Sequence, residues 1–154
     1  RSTKFSTFPN PTGWTDRMPT ALVEYANPPG LPPAQGLYSY MGLIRQGTAC
    51  HIAGHLAVGD DGEVVGAGNF AAQFAQVFRN LKRTLEAAGG SCRSIAKMTT
   101  FMTSADYIPE FMRLRAELFP TLFGDGVYPP NTLIIISRLV KPEFMLEVEA
   151  VAAL

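Results

Sequence analysis

The sequence predicts a single α+β domain in which two helices pack on one face of a mixed sheet. The length of 154 residues fits one domain. Apolar residues recur first at the strand period of two and later at the helical period of about 3.6, in the order β, ββ, α, β, α, ββ. The last strand alternates, so one sheet face is left for the helices and the other for a different partner.

The first part of the chain shows little regular patterning. Residues 1–20 mix proline and glycine with serine and threonine, which predicts an irregular N-terminal extension anchored by Trp14. A short strand is predicted over 21–26, and the proline-rich run 28–33 predicts a rigid loop. The single folded domain is therefore predicted to span 21–154.

Two strand-like runs follow, over 38–44 and 49–58, joined near Gln46-Gly47. The turn at 59–62 leads into a short apolar segment at 64–65. This spacing predicts an antiparallel meander.

Two segments have the period of amphipathic helices. The first is predicted to begin after Asn69 as its cap and to end at Gly89-Gly90. The second is predicted from about Asp106 to Phe119, with Pro120 marking its end. The residues predicted to face inward are Phe70, Phe74, Val77, Phe78, Leu81, Leu85 and Ala88 on the first helix and Ile108, Phe111, Met112, Leu118 and Phe119 on the second.

Three further strands are predicted, over 94–102, 132–137 and 144–153. The second of them is apolar on both faces, which is typical of a buried strand. In the third, Glu147 and Glu149 point away from the helices and lie about 7 Å apart along the strand. A largely apolar face without helices predicts association of sheets from several copies into a closed ring.

Composition excludes several classes of function. Thirteen basic residues balance thirteen acidic ones, so no basic field favours nucleic-acid binding. The two cysteines, Cys50 and Cys92, have no metal-ligand spacing and predict reduced, inert thiols in the cytoplasm. No apolar run reaches the roughly 18 residues of a membrane span. His51 and His55 lie about 13 Å apart in a strand, so no metal site is expected.

Several segments together match a known family in order and spacing: Gly36-Leu37-Tyr38-Ser39, His51-Ile52-Ala53-Gly54-His55, 62–66, Gln73, Asn80-Leu81, 85–89, 94–99 and 146–152. Over roughly Pro28 to Leu154 the chain resembles the RidA family, also called the YjgF family. The resemblance implies a fold similar to the chorismate mutase trimer, with a sheet-lined barrel inside, helices outside and ligand clefts at the subunit boundaries. It also implies hydrolysis of reactive enamines and imines to carbonyl compounds and ammonia, without a cofactor.

The resemblance also identifies the expected site. Tyr38 and Glu147 match the family's pocket, and Glu147 is expected to activate the attacking water. In the family's Pro-Ala-Arg-Ser motif an arginine binds the substrate carboxylate, but this chain has Asn131 at that position. The other departures are Ala53 for serine, His55 for glutamine, Leu133 for cysteine and Met112 for asparagine. These departures predict a divergent subgroup.

Each remaining candidate has two interpretations. Gly54 is expected to let a ligand approach the backbone, and His55, on the same predicted strand face as Ala53, is either a proton carrier or a structural histidine. Asn131 is either a turn residue or a hydrogen-bonding group for a neutral or amide-bearing ligand. The simplest interpretation of Arg113 and Arg115 is that both are solvated charges on the second helix. The other interpretation is that one of them replaces the positive charge that Asn131 lacks, from a different wall of the pocket.

Three functions follow from these observations. The leading prediction is a homotrimeric enamine or imine deaminase acting on a small polar metabolite, with Tyr38 and Asn131 orienting the ligand. The alternative is a ligand-binding or regulatory trimer without chemistry. An endoribonuclease or translation inhibitor, which older family names suggest, is disfavoured by the zero net charge.

Overall fold

The computed structural model describes residues 21–124 and 126–154. The predicted extension at 1–20 and the anchoring role of Trp14 lie outside these residues. Within them the elements follow the predicted order, and the α+β class is confirmed. The strands are β1 Val23–Ala26, β2 Met41–Ile44, β3 Ala49–His55, β4 Ile95–Met102, β5 Asn131–Ile135 and β6 Leu146–Ala153, and the helices are α1 Phe70–Ala87 and α2 Ile108–Phe123.

The main sheet has four strands in the order β3-β6-β4-β5. It is mixed, as predicted, because β4 and β5 run parallel while the other neighbours are antiparallel. The predicted meander from β2 into β3 is wrong. Strand β2 pairs with β1, and β3 pairs with β6. Alternation of apolar and polar residues predicts that a strand exists but does not predict which strand pairs with it. In this chain Thr48 and Leu154 exchange two backbone hydrogen bonds, which join β3 to the C-terminal strand.

The β1-β2 pair packs closely on the start of β4. A Cβ atom on Gly42 of β2 would lie 1.9 Å from the backbone oxygen of Ala96, so only glycine allows this approach. The Tyr25 hydroxyl donates to the carbonyl oxygen of Ile95 at 2.6 Å, and burial raises the pKa of this phenol. The segment before β2, which carries Tyr38, is thereby held against the sheet.

Helix α1 has the predicted ends. The Asn69 side chain accepts a hydrogen bond from the backbone N–H of Ala72, and Gly89 follows the helix with a φ of 83°. Its predicted apolar face is buried except for Ala88, which is exposed. Gln73 is fully buried on the same face, where its amide hydrogen-bonds three backbone groups, those of Gly66, Glu143 and Met145.

Helix α2 differs from its predicted limits at both ends. It begins at Ile108, after a short 3₁₀ turn, and it continues through Pro120 to Phe123. Proline removes only one N–H near the helix end, and Phe123 gains ring contacts with Phe119 and Tyr128 that stabilise the final turn.

The two sheet faces have the predicted character. In β6, Leu146, Val148 and Ala150 are buried under the helices, while Glu147 and Glu149 lie on the opposite face, hereafter the open face. Strand β5 lies at the sheet edge, so its expected burial on both faces is not achieved within one chain. Ile134 and Ile135 are 38% and 43% exposed.

Candidate functional site

Glu147 lies on the open face with its carboxylate directly over Gly54 of the neighbouring strand. A Cβ atom at Gly54 would be 1.8 Å from Glu147 Oε1 and 2.6 Å from its carboxyl carbon. Gly54 was expected to make room for a ligand. In the structure the side chain of Glu147 itself occupies that room, so Gly54 determines where this carboxylate can lie.

A β-bulge places Gly54 opposite Glu147. Ile52 pairs with Ala150, but His55 pairs with Val148, so three residue steps on β3 match two on β6. The extra residue breaks the alternation of β3. His55 therefore lies on the helix-facing side with Val148, and the prediction that it shares a face with Ala53 is wrong.

The electrostatic environment of Glu147 favours its protonated form. Partial burial raises the pKa of the Glu147 carboxyl, the nearby charge of Glu149 raises it further, and His55 opposes both effects. A carboxyl group with a raised pKa exchanges protons closer to neutrality than an ordinary glutamate does, which suits general acid and base chemistry.

The open face forms a hollow of about 440 Å³ that is lined by Glu149 and not by Glu147. Its lining combines one carboxylate, one ammonium and one imidazole with small side chains from three strands. The residues that line it include His51, Ala53, Lys97, Thr99, Glu149 and Val151.

His55 is held between β3 and α1. Its Nδ1 lies 2.8 Å from the carbonyl oxygen of Ala53, and its Nε2 lies 2.7 Å from Thr84 Oγ1. A carbonyl oxygen only accepts, so Nδ1 carries the proton of the first bond. Both ring nitrogens have protein partners, and the proton-carrying role of His55 stays a prediction.

Asn131 and Leu133 lie on the other side of the sheet from Glu147. Asn131 pairs with Met98 and Leu133 with Thr100, whose side chains face the helices. The Thr100 hydroxyl donates to Asn131 Oδ1 at 3.0 Å, so this oxygen already has a partner. Within one chain, the predicted site residues therefore fall into two groups on opposite faces.

Tyr38 and Met112 belong to a second neighbourhood, around Arg115 of α2. The Tyr38 phenol is half-buried, packs edge-on against Tyr40 at 5.9 Å between ring centroids, and accepts a long hydrogen bond from the Gln35 N–H. Met112 was predicted to face inward, but it is 39% exposed, and its sulfur accepts from Arg115 Nη2 at 3.1 Å.

Arg115 is the functional candidate that sequence reasoning undervalued. It was most simply read as a solvated charge, but it is only 4% exposed. The helical period carries the missing signal, because Arg115 lies four residues after Phe111 and four before Phe119. Both phenylalanines are fully buried, so the face that they define includes position 115.

Metal-ligating groups, thiols and apolar helices can also be located within residues 21–124 and 126–154. No group of three or more metal-ligating side chains is placed to hold a metal ion there. Cys50 is half-buried and Cys92 buried, both as free thiols, and burial raises the pKa of Cys92. No helix in these ranges is long and apolar enough to cross a membrane.

Comparison with known proteins identifies the family. The family model described as Endoribonuclease L-PSP matches residues 31–154. The 3-aminoacrylate deaminase RutC of Acinetobacter baylyi is 30% identical over 126 residues, covering 81% of this chain and 93% of that protein. A RutC family protein of Pyrococcus horikoshii is 32% identical over 114 residues, covering 73% of this chain and 85% of that protein.

Solved structures agree with this match. A Rid family protein from Yersinia pestis, YyfB, superimposes with a TM-score of 0.77 at 27% identity, covering 86% of this chain and 99% of that one. RidA from an Antarctic Psychrobacter gives 0.59 at 27% identity, with 80% and 93% covered. Sequence and fold together show that the chain belongs to the RidA (YjgF) family, the Endoribonuclease L-PSP family of the matching model.

Proposed function

We propose that this protein hydrolyses a small reactive enamine or imine to a carbonyl compound and ammonia. The observation that carries the proposal is the Glu147 carboxyl, which lies half-buried over Gly54 with a raised pKa. A relative that is 30% identical is named a 3-aminoacrylate deaminase, which supports the reaction class.

The proposed chemistry needs one group that moves a proton twice. The Glu147 carboxylate accepts a proton from water as the water oxygen bonds to the carbon of the protonated imine. The same proton then passes to the nitrogen of the tetrahedral intermediate, which leaves Glu147 as a carboxylate again. The C–N bond breaks and ammonia leaves, while the hydroxyl proton of the intermediate passes to the Glu147 carboxylate as the carbonyl forms. An enamine reaches this path after protonation at carbon gives its imine.

A homotrimer is part of the proposal, because one chain divides the candidate residues between two sheet faces. A cleft between copies would bring Glu147 of one copy near the partner subunit's Asn131. The exposed Ile134 on the sheet edge and the uncovered open face supply apolar and polar surface for such an interface.

The assembly is tested by light scattering during size-exclusion chromatography. We expect the mass of three chains for the wild type. Ile134→Glu places a charge on the open face beside Phe101 and should shift the mass to that of one chain. Thr121→Glu, on the exposed helix layer, is the matched control and should leave the trimer intact. A wild type that runs as one chain would contradict the shared cleft.

The activity is tested by ammonia release from freshly generated enamines and imines, with 3-aminoacrylate and the imines of acidic and neutral amino acids as substrates. We expect the wild type to accelerate ammonia release at least about 100-fold over the uncatalysed reaction for one member of the panel. No acceleration with any member would favour the second candidate function.

That second candidate is a ligand-binding trimer without chemistry. It is favoured by Asn131, a neutral residue where the resemblance implies a substrate-binding arginine. An endoribonuclease is less well supported, because the chain's two histidines, His51 and His55, lie on opposite sheet faces and cannot act as a pair within one chain. The free thiols fit a reducing compartment, and the cytoplasm remains the proposed location.

A further inference from the structure

Arg115 is a buried cation without an anion. It is 4% exposed, and no carboxylate of the described residues lies within ion-pair distance of it. Its Nε has no hydrogen-bond partner, and its Nη2 has only the weak sulfur acceptor of Met112. The rings of Phe111 and Phe119, whose centroids lie 5.4 and 5.7 Å from the guanidinium carbon, hold it in place.

The neighbouring arginine on the same helix shows the contrast. Arg113 is exposed and donates to the carboxylates of Glu110 and Glu117, so helix α2 neutralises this charge within itself. Burial of an unpaired charge is costly, and natural proteins normally give a buried guanidinium a carboxylate or phosphate partner. The position of Arg115 therefore indicates an anion that the described part of the chain does not supply.

The other unpartnered polar groups point to the same ligand chemistry. Among the described residues, the buried side-chain atoms without a hydrogen-bond partner are Ser39 Oγ, Arg115 Nε and Asn131 Nδ2. All three can donate a hydrogen bond. Asn131 Oδ1 is already bonded to Thr100, so the N–H₂ group of Asn131 is left to donate to an acceptor oxygen of a ligand, and its preference for an amide-bearing ligand stays a prediction.

The segment from Gly36 to Gly42 passes close to all three donors. At its start, a Cβ atom on Gly36 would lie 2.6 Å from Arg115 Nη2. At its end, a Cβ atom on Gly42 would lie 3.1 Å from Pro130, the residue before Asn131, and Ser39 lies between the two glycines. Donors without acceptors along one segment suit a ligand rich in acceptor oxygens.

We propose that Arg115 binds the carboxylate of the substrate. The site formed by Arg115, Ser39 and Asn131 is thereby selective for imino or enamino acids over neutral imines. The inference rests on the proposed function for the reaction, but the anion site itself does not depend on turnover. Burial lowers the pKa of the Arg115 guanidinium against the opposing effect of Tyr38, and a bound carboxylate would favour the charged form.

The test is isothermal titration with pyruvate, a carboxylate of the product class, and with methyl pyruvate, its neutral ester. The wild type should bind pyruvate at least about tenfold more tightly than the ester. Arg115→Gln should weaken pyruvate binding at least about tenfold and remove the preference. Arg115→Lys, which keeps the charge but loses the planar fork, should bind with intermediate affinity.

Arg113→Gln is the matched control, because it removes an exposed, internally paired arginine from the same helix. It should bind pyruvate within about twofold of the wild type, since an exposed pair contributes little. Equal binding by Arg115→Gln and the wild type would overturn the proposal, as would equal affinity of the wild type for acid and ester or no binding of either. Circular dichroism checks folding, and if Arg115→Gln does not fold, the wild-type preference and Arg115→Lys decide.

The outcomes also separate this inference from the proposed function. Carboxylate-selective binding without ammonia release from any imine would overturn the deaminase and keep the anion site. Deamination of neutral imines by Arg115→Gln at the wild-type rate, together with no pyruvate preference in the wild type, would overturn the anion site and keep the deaminase.

Discussion

Glu147→Gln is expected to lower kcat/KM for ammonia release at least about 100-fold, because glutamine is nearly isosteric but cannot move a proton. The wild-type rate should rise with pH through the raised pKa of Glu147, since water activation needs the carboxylate. The variant should lose that limb of the pH profile. Glu149→Gln is the matched control: its acid is exposed on the same face, and we expect less than about a tenfold change.

The pH dependence of the folding stability of Glu147→Gln tests whether the pKa of Glu147 is raised by folding. A carboxyl whose pKa is higher in the folded than in the unfolded state binds its proton more tightly when folded. The wild type should therefore lose stability as pH rises from the ordinary value near 4.5 through the raised pKa, and Glu147→Gln should not. Thermal unfolding at a series of pH values measures both. Undiminished turnover in Glu147→Gln would remove this residue from the mechanism.

Gly54→Ala is expected to lower turnover about 10- to 100-fold while leaving the fold intact. The new Cβ atom would lie 1.8 Å from Glu147 Oε1, and a flexible carboxylate moves more readily than the backbone does. Displacing a reacting group by about 1 Å can cost two orders of magnitude in rate. Steady-state kinetics measure the loss, and circular dichroism measures retention of the fold.

A double-mutant cycle shows whether this loss acts through Glu147. Alanine at position 54 should have almost no further effect on kcat/KM once Glu147→Gln is present, because the two changes disable the same group. Full additivity of the two losses would show that Gly54 acts independently of the carboxylate, for example by admitting the ligand to the backbone.

The secondary structure was largely readable from the sequence. The 3.6-residue apolar stripe of α1, its Asn69 cap and the alternation of β6 each depend on residues close together in the chain, so the local sequence specifies them. Local sequence predicted the end of α2 wrongly. The helix continues through Pro120 because Phe123, in its last turn, packs against the ring of Tyr128, which lies outside the helix.

The candidate site was readable only in part. Glu147 and its acidic neighbour Glu149 follow from the period of one strand, and their common face was predicted. The bulge at Gly54 was not, because a bulge is defined by the register between two strands. His55 was consequently assigned to the wrong face.

By itself the sequence determined the order of elements, the family and the presence of an acid pair on the uncovered face of the last strand, since each depends on local spacing. The tertiary structure alone decided that the Glu147 carboxylate occupies the space above Gly54 and that Arg115 is enclosed without an anion. Both are consequences of packing between segments far apart in the chain, where side-chain volume and desolvation rather than periodicity determine which groups meet.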